Sequence, residues 1–367
     1  MTFSIRLQSS VAPVLLVLGA AALVGCEQSQ DLSGGPNTGP EGGAASEAGP
    51  DSGVVPEGGA GTGTDAGPGT SEAGVQDSGG GSQRLVLFGG SSPTSLLGDT
   101  WTWDGTSWTQ ETVTGPSARA NAIGGSVHGQ VTLFGGTDDG DGAETDTWTW
   151  NGSTWTQQMV TGPAAAATGL DTYYYASTVG QNLVVLVGDD SEDDFTWLWN
   201  GTAWTQEPQG AGPVNLIGYA ATTFQDKMML FGNGAIWGNS GGNWAKIPLA
   251  AGGPDNTSPS AAPVVATLGG KVVLFNGEAD SFGMVSETWT WDGTNWTLQN
   301  VKGPSPRSYA SMAAVNGTVV LFGGCVFGFS GTQATCLDDT WTWDGAHWTQ
   351  QNVQGPSARD SALLVAE

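Results

Sequence analysis

The side chains able to do chemistry are few and lie between stretches of tryptophan, threonine and glycine. Asp138-Asp139-Gly140-Asp141-Gly142-Ala143-Glu144 sets carboxylates close together with glycines that let the chain turn. Hard cations take oxygen ligands from such runs, so Asp139, Asp141 and Glu144 are candidate calcium ligands, against the plainer reading of a solvated acidic loop. Asp189, Asp190, Glu192, Asp193 and Asp194 form a second acidic group with the same two readings. Cys325 and Cys336 flank a third loop, with Phe327 and Phe329 between them. In an exported protein an even pair of cysteines at the base of a hairpin reads as a disulfide. The enclosed phenylalanines are either a contact site or side chains packed on the domain. Arg119, Arg307 and Arg359 either gather into a cationic mouth for a carboxylate or pair singly with acids such as Asp99, Asp146 and Asp339. His128 and His347 are the only histidines, and no Ser-His-Asp or Cys-His constellation is visible around them. Paired carboxylates for glycoside hydrolysis stay open, because distances across separate segments cannot be read from a sequence.

These residues must be positioned by a repeat. Asp99-Thr100-Trp101-Thr102-Trp103-Asp104-Gly105-Thr106-Ser107-Trp108 returns at 146–155, 287–296 and 339–348, and more loosely at 194–204. Thr and Trp alternate with the period of an extended strand, and the Asp-Gly that follows turns the chain back, so each copy predicts a tryptophan-rich hairpin. A second phrase, Leu-Phe-Gly-Gly or a variant, precedes each hairpin. From Phe88 through Phe134, Val187, Phe231 and Phe275 to Phe322 its steps are 46, 53, 44, 44 and 47 residues. That period is a propeller blade's. Each unit reads as four strands: one after a Gly-Pro-Ser-Ala-Arg loop, the Leu-Phe-Gly-Gly strand, the paired-Trp strand and the single-Trp strand. The chain stops after a first-type strand and begins, at Arg84, with a second-type strand. The expectation is therefore an all-β, six-bladed β-propeller of four-stranded antiparallel blades, with residues 360–366 closing the N-terminal blade and leaving no open edge. The 17 tryptophans, three in each of five units and two in the fourth, read as glue between blades rather than as a sugar platform.

The chain resembles the kelch-repeat β-propellers, whose fold is shared with the propeller of galactose oxidase. The resemblance rests on the Phe-Gly-Gly pairs, the Trp of the third and fourth strands, and the Arg at 119, 307 and 359, and it spans residues 84–367. It implies the fold. The copper ligands and Cys-linked Tyr of galactose oxidase have no counterpart here, nor has the arginine cluster of the sialidases, whose Asp-box turns resemble Asp104-Gly105-Thr106-Ser107-Trp108.

Two segments precede the repeats. Residues 1–26 carry Arg6, an apolar run from Val11 to Val24, and Leu23-Val24-Gly25-Cys26, which resembles a bacterial lipobox and implies a signal peptide ending at a lipidated Cys26. Residues 27–82 hold no Lys, Arg or aromatic residue and cannot bury enough apolar surface to order themselves. As a Gly-rich tether their root-mean-square span is about 40 Å. The formal net charge of −26 repels phosphate and argues against a nucleic-acid partner or an anionic membrane face. The expected protein is a monomer, exported and attached to the cell envelope by its lipid alone, at the outer membrane or cell surface. Its variable loops would bind an envelope or extracellular protein or glycan without catalysis. The alternatives are a carbohydrate-active enzyme using the acidic loop residues and a purely structural surface protein. No cofactor is expected beyond the calcium candidate.

Overall fold

The computed structural model describes residues 83–139, 142–163, 173–188, 194–208, 218–232, 234–248, 263–276, 286–326 and 335–367, with short pieces at 212–213, 216, 253–254, 279–280 and 283–284. Residues 1–82, where a signal and a linker are expected, lie outside the described residues with Cys26, as do Asp141, Asp189, Asp190, Glu192, Asp193, Phe327 and Phe329.

Six four-stranded antiparallel sheets are present, and no helix occurs among the described residues. Blade 1 pairs Leu363–Ala366, Leu85–Phe88, Thr100–Trp103 and Trp108–Glu111 in that spatial order. The register Leu85↔Ala366 to Phe88↔Leu363 is the expected closure of the N-terminal blade by the C-terminal strand. Blade 2 uses Ile123–Val127, Gln130–Phe134, Thr147–Trp150 and Trp155–Gln158. Blade 3 uses Tyr173–Val179, Asn182–Gly188, Phe195–Trp199 and Trp204–Gln206; blade 4 uses Ala220–Phe224, Lys227–Gly232, Ala235–Ser240 and Asn243–Ile247. Blade 5 uses Val264–Leu268, Lys271–Asn276, Glu287–Trp291 and Trp296–Gln299, and blade 6 uses Ser311–Val315, Thr318–Phe322, Thr340–Trp343 and Trp348–Gln351. Each first strand neighbours the first strand of the next blade, and the sixth meets the first, so the six line a central channel.

The second strands are hydrophobic runs rather than alternating ones, because both of their faces are covered by adjacent blades. Between blades the packing repeats. The fourth-strand Trp of one blade meets the Phe-Gly phenylalanine of the blade before it edge-on: Trp155 with Phe88 at 5.5 Å, Trp204 with Phe134 at 5.1 Å, Trp108 with Phe322 at 5.5 Å. Its indole N–H donates to a third-strand threonine of that same preceding blade. Trp108 reaches Thr340, Trp155 reaches Thr100, Trp204 reaches Thr147, Trp244 reaches Thr196 and Trp348 reaches Thr288, all at 2.8–3.0 Å. Trp296 differs: blade 4 pairs Ile236 with Phe231, where blade 1 pairs Thr100 with Phe88. One ring thus fills the space between two sheets and satisfies a buried hydroxyl, which is why Trp recurs there and Phe does not.

The Gly-Pro of the loops leading into blades 1, 2 and 6 has a reason beyond turning. A Cβ on Gly115 would lie 2.6 Å from Trp155 Cδ1, and one on Gly303 or Gly355 2.7 Å from Cδ1 of Trp348 or Trp108. The connection lies flat on the fourth-strand Trp of the blade it leads into, and only glycine permits that approach.

Candidate binding face

The two faces of the propeller are built differently. On one, third and fourth strands are joined by tight turns, and in five blades the leading Asp or Asn caps the turn. Asp104 Oδ1 accepts from the Thr106 and Ser107 amides at 2.8 Å, and Asn151, Asn200, Asp292 and Asp344 repeat the arrangement. The following Gly takes the positive φ the turn requires, +100° at Gly105 and +102° at Gly293. These bonds hold the exposed Asp104 carboxyl down at about 2. The turns also pack on their neighbours: Gly201 lies against His128, whose ring hydrogen-bonds Gln181 at 3.0 Å. His128 and exposed His347, 3.8 Å from Asp344, are both on this closed face, in different blades.

The opposite face carries the connections between second and third strands. Among the described residues, four of these rise as accessory hairpins. Ser91 bridges Leu96 in blade 1, Thr137 bridges Ala143 in blade 2, Ala279–Asp280 pairs with Gly283–Met284 in blade 5, and Cys325–Val326 pairs with Thr335–Cys336 in blade 6.

Three of the four stand on one repeated clamp. Arg359, Arg119 and Arg307 are each at most 2% exposed and sit in the loop that opens blades 1, 2 and 6. Each guanidinium grips one carboxylate of its own blade with two nitrogens: Arg119 holds Asp146 at 2.5 and 3.2 Å, Arg359 holds Asp99 at 2.6 and 2.9 Å, and Arg307 holds Asp339. The same Arg donates to the first carbonyl of the Gly-Gly pair, Gly135, Gly89 or Gly323, at 3.0 Å. It also binds the carbonyl and hydroxyl of the serine two residues earlier. The carboxylate then accepts the indole N–H of Trp148, Trp101 or Trp341 at 2.7–2.8 Å. Burial pushes Asp99, Asp146 and Asp339 up, but the guanidinium and indole donors outweigh it and hold all three below the usual carboxylate range. Of the two readings of the arginines, the single pairing with Asp is the one realised. None forms a free cationic mouth.

Just past each Arg the backbone locks the hairpin down. Asp360 and Ser91 exchange N–H···O bonds of 2.9 Å, as do Ser308 and Cys325; Ala120 and Thr137 do so at 2.9 and 3.1 Å. The next residue is left-handed in all three blades, with φ of 57° at Asn121, 58° at Tyr309 and 52° at Ser361. The first strands therefore start later than the Arg-led reading has them, at Ile123 rather than 121, at Ser311 rather than 309, and at Leu363 rather than 360. These three residues link across blades at the channel rim: the Asn121 amide donates to the Ser361 carbonyl at 3.0 Å, and the Ser361 amide to the Tyr309 carbonyl at 2.9 Å. Below them a cavity of about 190 Å³ opens between first strands, lined by Ala122, Gly124, Ala176, Ser311, Met312 and Leu363. Tyr309 is 46% exposed in a backbone conformation that bulky residues rarely adopt. Burial, then nearby Asp360, raises its hydroxyl.

Several candidate side chains serve the loops themselves. Asp138 accepts the Gly142 amide at 2.9 Å, and Glu144 accepts from the Ser117 hydroxyl and lies 3.8 Å from Arg119. Asp139 is exposed beside them. Cys325 and Cys336 form the expected disulfide at the base of the blade 6 hairpin. Their sulfurs and the Asp360 carboxylate lie within 4.8 Å of one another, but the two sulfurs are bonded together, which removes the thiolates a metal would need. No protein-family model matches the chain, and no curated protein matches it. The sequence reading did not single out Asp360, or Tyr309 as a rim residue. Aligning the three Arg loops on their arginine would have marked both, since Asp360 stands where the other copies have Ala120 and Ser308, and Tyr309 where they have Asn121 and Ser361.

Proposed function

We propose that the chain is a kelch-type propeller, held at the cell envelope through lipid on Cys26, and that it is a non-catalytic module binding a protein or glycan on the hairpin-bearing face. The observation that carries this reading is the asymmetry of the two faces. One is sealed by short self-capped turns that leave little to vary. The other raises four hairpins of different sequence around a channel mouth, three of them on a rigid buried clamp, and variable loops on a fixed scaffold are where recognition is placed. The clamp supports binding by preorganising the loops, so less ordering entropy is lost when a ligand docks. Two acyl chains or more on Cys26 would make membrane attachment stable where one is marginal.

The test is binding of the domain from Ser82 to Glu367 on an array of glycans and envelope proteins, with and without millimolar calcium. Saturable binding that disappears when residues 138–144 or 325–336 are replaced by a tight turn is the expected result. A folded propeller that binds nothing, or whose binding survives both replacements, overturns the assignment. Cys26→Ser in the full chain should release the protein from the membrane fraction.

A further inference from the structure

The disulfide of blade 6 has an unusual neighbour. Asp360 Oδ2, from blade 1, lies 2.9 Å from Cys325 Sγ. A sulfur in a disulfide carries no hydrogen, so a proton in that contact belongs to the carboxyl. Burial raises the Asp360 carboxyl from its ordinary value, against the Ser361 hydroxyl bond, which lowers it. The groups facing it are the Cys325 sulfur, the Ser361 hydroxyl and the Tyr309 hydroxyl; the guanidinium of adjacent Arg359 is turned away to Asp99. The two sulfurs also differ in access. Cys325 is 0% exposed, whereas Cys336 is half-buried with exposed Thr335 beside it.

We propose that Cys325–Cys336 is a thiol–disulfide exchange site, attacked at Cys336 by an external thiol, in which Asp360 protonates Cys325 as it leaves. A thiolate left on fully buried Cys325 would be without water and would be a poor leaving group, and leaving-group basicity limits exchange. The attacking thiolate forms a bond to Cys336 Sγ, the S–S bond breaks, and its electron pair goes to Cys325 Sγ, which takes the Asp360 proton. Asp360 is left as a carboxylate. With a dithiol as reductant, its second thiolate then displaces Cys336, and the dithiol is oxidised to its own disulfide as the protein pair is reduced. In the reverse direction the carboxylate removes the Cys325 proton and restores the nucleophile.

The test uses the intact chain and glutathione as the probe thiol. After brief exposure, free thiols are capped with iodoacetamide and the peptides are weighed. Glutathione on Cys336 with the alkyl cap on Cys325 is expected; glutathione on Cys325 refutes the direction of attack. Second, the rate per glutathione thiolate is followed against pH. It should fall as pH rises through the Asp360 titration, and Asp360→Asn should be slower by about tenfold or more on the acid side of that step and lose that dependence. An Asp360→Asn chain that reacts as fast as the wild type, with the same profile, overturns the proposal. Should the variant not fold, the wild-type profile decides: a rate per thiolate that does not fall as pH rises overturns the proposal.

Discussion

Asp339→Asn is the sharpest probe of the clamp. In the wild type Arg307 is fully buried and Asp339 is 20% exposed, and the pair is bidentate. Asparagine has nearly the same shape and keeps an oxygen for the Trp341 indole, so the substitution removes chiefly the negative charge. The guanidinium is then buried beside neutral acceptors. Breaking a buried pair from one side destabilises by about 3–5 kcal/mol, and the partial exposure of Asp339 places this case near 3. For a domain of about 285 residues the unfolding entropy is roughly 0.6 kcal/mol/K, so the melting temperature should fall by about 5 °C at pH 7. The pH dependence is diagnostic. The native Asp339 carboxyl sits below its ordinary 3.8, so its contribution is complete above that value and is lost as pH falls through the lowered native one. The gap between wild type and variant, read by calorimetry, should therefore be full at pH 7 and narrow steadily below pH 3.8. A gap under about 0.5 kcal/mol at pH 7, the size of an exposed pair, would refute the reasoning, as would one that stays constant into acid.

Further expectations follow from the same geometry. Gly303→Ala forces a methyl against Trp348 and should destabilise by about 1–3 kcal/mol in urea titration, although the glycine is in a loop. Trp348→Phe removes the donor to Thr288 while Trp296→Phe faces Ile236, so the first should lose about 1 kcal/mol more than the second. Trp291→Ala, deleting a ring packed on Phe224 and Phe231, should lose about 3–5 kcal/mol, and an unchanged melting temperature would sink its role as blade glue. By carbon-detected NMR titration the Asp104 carboxyl should have its midpoint near 2; a midpoint at the ordinary value would mean its turn bonds are not formed in solution.

Most of the fold is legible in the sequence because it is written repeatedly. A two-residue alternation of Thr and Trp, an Asp-Gly turn and a Phe-Gly-Gly phrase each recur, and only a ring of sheets uses all copies alike. The closing strand is legible too, since the last residues repeat the lead-in of blades 2 and 6 while the first strand of the domain is of the second type. The disulfide follows from two cysteines placed about one hairpin apart.

Contacts between blades were decided by tertiary structure, because each joins residues from different repeats at separations the period does not encode. Neither the Trp-to-threonine bond into the preceding sheet nor the glycine lying flat on that Trp can be seen within one copy. Which arginine reading holds depended on whether Asp99, Asp146 and Asp339 came within reach of the guanidinium, a matter of strand register and burial. Asp360 is the extreme case. It is one acid among 35 in the chain, and it gains chemical meaning only because ring closure brings blade 1 against the disulfide of blade 6. Local pattern determines the strands, but the environment of a side chain is set by what the closed ring packs against it.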